Sequence, residues 1–174
     1  MTTSPSSSSL NGPESEACFV AVRELLEKLD VPWTLIGAFA AMKYRPELRD
    51  TADVDFLVEP NPGVVPGLVD LGFDVRVLED QGEPHLIRSR RTDGQVDLII
   101  AATPYQSLAI ERAVDHVLTV EDVLVHKLIA WRPRDQGDVR SILSTGLAFD
   151  EAYVEHWAGE WGVADRWREA QAWR

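Results

Sequence analysis

Three aspartates and a lysine are the residues of this 174-residue chain whose types and spacing point to chemistry. Asp53 and Asp55 stand two apart in the strand-like run Ala52 to Val58. On a strand both carboxylates project from one face, roughly 7 Å apart at Cα. Like charges that close repel, and one of them tends to keep a proton unless a cation lies between them. An all-oxygen donor set of this kind suits Mg²⁺ or Mn²⁺. Asp97 interrupts the apolar run Val96-Asp-Leu-Ile-Ile100, where an isolated carboxylate is costly to bury. It is read as the third metal ligand. The alternative is an edge-strand carboxylate paired with an arginine such as Arg88 or Arg90, and residue type alone leaves both open.

Lys127 has Val123, Ala130 and Trp131 as helical neighbours, so its face is not an ordinary solvated one. An inward-directed ammonium would contact a phosphate; the alternative is a snorkelling structural lysine. Gly37 lies at a strand-to-helix turn, where the backbone N–H groups of Gly37 and Ala38 and the positive helix end can receive phosphate oxygens. Gly37 also reads as a plain packing glycine. Asp135 shares a stripe with Val139 and Ile142, yet it equally suits the N-cap of its helix with Asp138 as reciprocal partner, and the cap reading is preferred. Arg49 clamps phosphate or neutralises Asp50. No Ser-His or Cys-His device is visible, and His85, His116, His126 and His156 share no zinc spacing.

The elements that must position these residues follow from hydrophobic periodicity. Glu14 to Leu29 carries Cys18, Val22, Leu25, Leu26 and Leu29 at helical spacing, which predicts an amphipathic first helix. Trp33 to Ile36 reads as a strand and Ala38 to Lys43 as a short helix. Arg45 to Asp50 is a loop into the strand at Ala52 to Val58. A helix over Pro62 to Leu71 precedes strands at Phe73 to Leu78, His85 to Arg91 and Gln95 to Ile100, with a polar turn at Glu79 to Pro84 and an Asp-Gly turn at Thr92 to Gly94. A helix from Pro104 to Arg112 and an extended piece at His116 to Thr119 follow. Four helices complete the chain: Val120 to Trp131, Asp135 to Ser144, Asp150 to Trp161, and Val163 to Trp173. The expected fold is α/β, a mixed sheet with helices and then a helical C-terminal portion. The divisions are a disordered tail over 1–14, a core over 15–119, and a helical region over 120–174 that packs on it. Trp157, Trp161, Trp167 and Trp173 are expected to serve that packing.

Composition narrows the function classes. A net charge of −12 argues against non-specific nucleic-acid binding, which draws its affinity from Lys and Arg. It permits a site that recruits a divalent cation ahead of a polyanion. No apolar run reaches the roughly 20 residues that span a bilayer, and no signal peptide is apparent, so the expectation is a cytoplasmic protein without a membrane partner. The single cysteine, Cys18, is expected in the core.

The run Leu35-Ile-Gly-Ala-Phe-Ala40, followed by Arg49-Asp-Thr-Ala-Asp-Val-Asp-Phe56, resembles the signature of the nucleotidyltransferase superfamily related to DNA polymerase beta. The Arg-x-Thr-x-Asp-x-Asp wording looks most like the AbiEii type of toxin nucleotidyltransferases. Val120-Glu-Asp-Val-Leu-Val-His-Lys127 and Arg134-Asp-Gln-Gly-Asp138 are similar to the lysine helix and Asp-x-x-Asp helix of that group. The likeness runs from about Trp33 to Leu143. It implies a nucleotidyltransferase fold and a two-metal transfer in which Asp53, Asp55 and Asp97 hold the ions, with Asp97 as a candidate general base and Lys127 as a catalytic helper. It also implies nucleotide contacts at Gly37, Ala38, Arg49, Thr51, Lys127 and Asp135. Ala38 departs from the pattern, which has a second glycine or a serine there. The leading expectation is transfer of a nucleotide from an NTP to a hydroxyl on RNA or protein, toxin-like, with an antitoxin protein as a partner. The rival is an antibiotic nucleotidyltransferase acting on a small molecule, which an acidic surface favours. The third is a non-catalytic nucleotide-binding member, motivated by Ala38.

Overall fold

The computed structural model describes residues 13–47 and 53–174; the expectations for the 1–12 part of the tail, for Arg49 and for Thr51 lie outside the described residues. The first helix, α1 (Pro13–Lys28), buries Cys18, Phe19, Val22 and Leu26 along one stripe and leaves Glu24 and Glu27 in solvent, as its spacing requires. Strand β1 (Trp33–Leu35) leads into the short α2 (Gly37–Met42), then β2 (Asp53–Val58) and α3 (Val64–Asp70). A hairpin of β3 (Asp74–Asp80) and β4 (Glu83–Arg91) precedes β5 (Gly94–Ile100) and α4 (Pro104–Arg112). The remaining helices are α5 (Val120–Ala130), α6 (Pro133–Ser144), α7 (Glu151–Glu160) and α8 (Ala164–Gln171).

The five strands form one mixed sheet in the order β1-β2-β5-β4-β3, with β2 and β5 parallel and the other pairs antiparallel. This is the expected α/β architecture. Alternation along the central strands separates two faces. Val54, Phe56, Val96 and Leu98 are buried, and Phe56 stacks on Phe19 of α1 at 5.8 Å. Asp53, Asp55, Gln95, Asp97, Leu86 and Arg88 line a cleft on the other side of the sheet, closed by residues of α5 and α6.

Several boundaries differ from expectation for identifiable reasons. The turn expected over Glu79 to Pro84 is only Gln81 and Gly82, both at positive φ (52° and 86°), so the hairpin strands run closer to the tip. That pair of left-handed residues matches the strand twist of a tight two-residue hairpin. Helix α6 starts at Pro133, two residues ahead of the expected start, because proline suits the first helical position. Asp135 is therefore not the N-cap. It sits one turn in, where its Oδ2 accepts from the backbone N–H of Arg132 at 3.1 Å.

The helical portion is joined by buried polar contacts as well as apolar ones. Asp122 on α5 is fully buried and accepts hydrogen bonds from Tyr105, Tyr153, Thr119 and Arg112, tying α4 and α7 to α5. Trp167 of α8 is buried as expected, while Trp131 and Trp173 stack at 5.6 Å. Among the described residues no helix is long and apolar enough to cross a membrane.

Candidate active site

The cleft floor is a ladder of side chains set by strand register. One row pairs Asp55 on β2 with Asp97 on β5, Arg88 on β4 and Arg76 on β3. The next row pairs Asp53 with Gln95, Arg90 and Asp74. The strands thus place three carboxylates side by side at one edge of a basic strip. The cleft has a volume of about 490 Å³.

The Asp55 carboxyl is perturbed by its surroundings. Burial raises it first, the charges of Asp97 and Asp53 raise it further, and the cations Lys127 and Arg132 pull it back, leaving it at about 6 against an ordinary 3.8. Asp55 is held by a close approach. Its main-chain carbonyl accepts from the N–H of Ile36 at 3.0 Å, and its Oδ2 lies 2.3 Å from where a Cβ on Gly37 would stand. Gly37 also adopts φ +66°, which side-chain-bearing residues rarely take. Glycine is required at 37 by Asp55 itself, and the same turn starts α2, whose N-cap Ile36 supplies no side-chain bond to the first N–H groups.

Asp97 lies on a central strand, not an edge, yet it pairs with Arg88. Arg88 Nε reaches both carboxylate oxygens at 3.2 Å, Nη2 reaches Oδ2 at 2.9 Å, and Gln95 adds a bond to Oδ1 at 3.4 Å. The hydrogen bonds and charge of Asp97 hold the Arg88 guanidinium above its ordinary range. The three aspartates are neighbours, but among the described residues no three acidic, histidine or cysteine side chains stand close enough together to hold an ion. Their chemistry nonetheless fits a hard divalent cation, because Asp55 is raised in part by repulsion that such a cation would cancel.

Lys127 points inward and is only 5% exposed. Its Nζ pairs with Asp135 at 3.0 Å and Asp138 at 2.8 Å, so the ammonium holds the start of α6 against α5. Burial works to raise the Asp135 carboxyl, but the hydrogen bonds of Arg132 and Lys127 outweigh it and hold the group below its ordinary range. Arg45 pairs with Asp138 at 2.6 Å. Arg132 Nε also pairs with Asp135 at 2.7 Å, but its side chain is 58% exposed, and it lines this wall with the exposed Arg134.

No family model and no curated protein matches this sequence. Its fold does match solved structures. The antibiotic-resistance factor ANT(2'')-Ia in solution aligns with a TM-score of 0.56 and 16% identity over 90% of this chain and 92% of that one. The crystal structure of ANT(2'')-Ia with adenylyl-2''-tobramycin gives 0.57 and 13% over 87% and 97%. A candidate nucleotidyltransferase from H. pylori gives 0.50 and 18% over 78% and 68%. The chain has the nucleotidyltransferase fold.

Within this nucleotidyltransferase fold, Gly37, Ala38, Asp53, Asp55, Asp97, Lys127 and Asp135 all line the one cleft. Sequence reasoning did not assign Arg132, Arg134, Gln95, Tyr105, His126 or Trp161 to it. The two arginines flank Pro133 as a short basic run. Trp161 is 36% exposed at the cleft and meets Tyr105 edge-on at 5.9 Å, so its ring has a free face that packing alone does not use. Burial lowers the His126 imidazole to about 4, keeping it neutral at physiological pH.

Proposed function

We propose that this chain transfers a nucleoside monophosphate from an NTP to a hydroxyl acceptor. The observation that carries the reading is the Asp53–Asp55–Asp97 floor over the Gly37 turn, with Asp55 raised to about 6 by burial and by its carboxylate neighbours. Asp53, Asp55 and Asp97 would hold Mg²⁺ or Mn²⁺, and an ion bound there would neutralise the triphosphate and the departing pyrophosphate. The backbone N–H groups of Gly37 and Ala38 bind phosphate oxygens, as do the guanidinium groups of Arg132 and Arg134. Lys127 acts from behind, holding α6 so that those arginines face the floor, and its charge lowers Asp55. Positioning and charge complementarity do most of the work in such a transfer, so no further nucleophile is needed. Tyr105, Trp161 and Val123 form the apolar wall on which a base or acceptor ring rests.

The acceptor favoured is a small polycation bearing hydroxyls. A chain of net charge −12 attracts such a molecule. ANT(2'')-Ia, whose structure with adenylyl-2''-tobramycin shares this fold, matches over nearly the full length of both chains. A second reading keeps RNA or protein as the acceptor, with an antitoxin as partner. It is favoured by the presence of three arginines, Arg88, Arg132 and Arg134, along the cleft.

The test is transfer of label from each of the four α-labelled NTPs, with Mg²⁺ or Mn²⁺, to aminoglycosides, tRNA and cell protein in parallel. Labelled aminoglycoside supports the first acceptor and labelled RNA or protein the second. Absence of label in every reaction, at a level no different from Asp53→Ala/Asp55→Ala, contradicts nucleotidyl transfer.

A further inference from the structure

We infer that Arg88 is a latch on Asp97 that opens only when metal and nucleoside triphosphate arrive together. The inference rests on the nucleotidyl-transfer reading and adds an order of assembly to it. Both Asp97 oxygens are occupied, by the three Arg88 hydrogen bonds of 2.9 to 3.2 Å and by Gln95 at 3.4 Å. For a carboxylate so engaged, ligating an ion or taking a proton from a hydroxyl competes with a two-pronged ion pair for its lone pairs. A free divalent cation offers Asp97 a new partner but takes from the Arg88 guanidinium its two-pronged contact, leaving it only the more distant charges of Asp53 and Asp55. Its next neighbour along the same row is Arg76, another cation. A metal-bound triphosphate satisfies both groups at once, the ion taking Asp97 and the phosphate oxygens taking Arg88.

The geometry allows this exchange. The Arg88 side chain is 40% exposed whereas that of Asp97 is 12%, so the arginine is the member of the pair able to swing. Arg88 and Asp97 both line the cleft, with Asp55 the next residue in the row. The latch couples metal and nucleotide binding, and such coupling is reciprocal: whatever factor the triphosphate adds to metal affinity, the metal adds to triphosphate affinity. Arg88 is thus a positioning residue for the ligand set.

The experiment measures Mn²⁺ binding by electron paramagnetic resonance, with and without a non-hydrolysable NTP analogue, for the native protein, Arg88→Gln and Arg88→Lys. Native protein is expected to bind Mn²⁺ weakly alone and roughly 5- to 150-fold more tightly with the analogue, the usual range of coupling between sites. Arg88→Gln should bind Mn²⁺ alone roughly tenfold more tightly than native while its gain from the analogue shrinks. Arg88→Lys, which keeps the charge but not the two-pronged contact, should fall between, and it carries the test if Arg88→Gln does not fold by circular dichroism. Equal Mn²⁺ affinity of native protein and both variants in the absence of the analogue overturns the latch while leaving nucleotidyl transfer standing. No Mn²⁺ binding by any of the three, even with the analogue, overturns both.

Discussion

Replacing Asp55 by asparagine should stabilise the protein while removing its proposed ion site. In the folded chain burial and the charges of Asp97 and Asp53 raise this carboxyl to about 6 from an ordinary 3.8. The folded state therefore holds the proton to higher pH than the unfolded chain does. The associated stability is fully present below about 3.8 and is lost as pH rises through about 6. A shift of about two units corresponds to about 3 kcal/mol of strain from the ionised group at pH 8, and partial solvent access reduces it to roughly 1–3 kcal/mol. Urea denaturation of native protein and Asp55→Asn, in a chelating buffer at several pH values, reads this directly. The variant should be more stable by that amount at pH 8, and most of the gain should vanish near pH 4. A variant less stable than native at pH 8, or a gain that ignores pH, refutes the reasoning.

Other substitutions test the supports of the cleft. Gly37→Ala puts a side chain at φ +66° with its Cβ 2.3 Å from Asp55 Oδ2. It should cost about 1–2 kcal/mol from the left-handed backbone alone and abolish nucleotide binding, and normal titration heats would contradict the close-approach argument. Lys127→Met leaves Asp135 and Asp138 buried without their shared cation and should cost about 3 kcal/mol, the lower end for a broken buried pair, because Arg132 and Arg45 remain. An unchanged thermal midpoint would show that the pair is not a structural support. Trp161→Ala should change stability by less than about 1 kcal/mol yet raise KM several-fold with little change in kcat, and an unaltered KM would place the ring outside the substrate path.

How far the site was readable in the sequence depends on which physical signal each residue carried. Asp53 and Asp55 were placeable because a period of two puts both on one face. Asp97 stood out because it breaks an apolar strand. Its pairing with Arg88 was one of two open readings, because spacing along one strand does not reveal which strand lies beside it; the register that joins Arg88 to Asp97 is tertiary. Asp135 looked like a helix cap because it precedes an apolar stripe, but Pro133 was the stronger start signal and moves Asp135 one turn inside, against Lys127. The inward direction of Lys127 followed from its apolar neighbours, whereas its two acidic partners are supplied by the packing of α6 on α5. Trp161 was assigned to packing with the other tryptophans; its position at the C-terminal end of α7 leaves it half open to the cleft, which periodicity does not report.

The central claim is that the aspartate floor binds a nucleoside triphosphate through a divalent cation. Calorimetric titration of each NTP with Mg²⁺ or Mn²⁺ into native protein and into Asp53→Ala/Asp55→Ala tests it most directly. Saturable, metal-dependent binding by the native protein that is lost in the double variant is the result expected. Binding that persists in the double variant, or native binding that a chelator leaves unchanged, would contradict it.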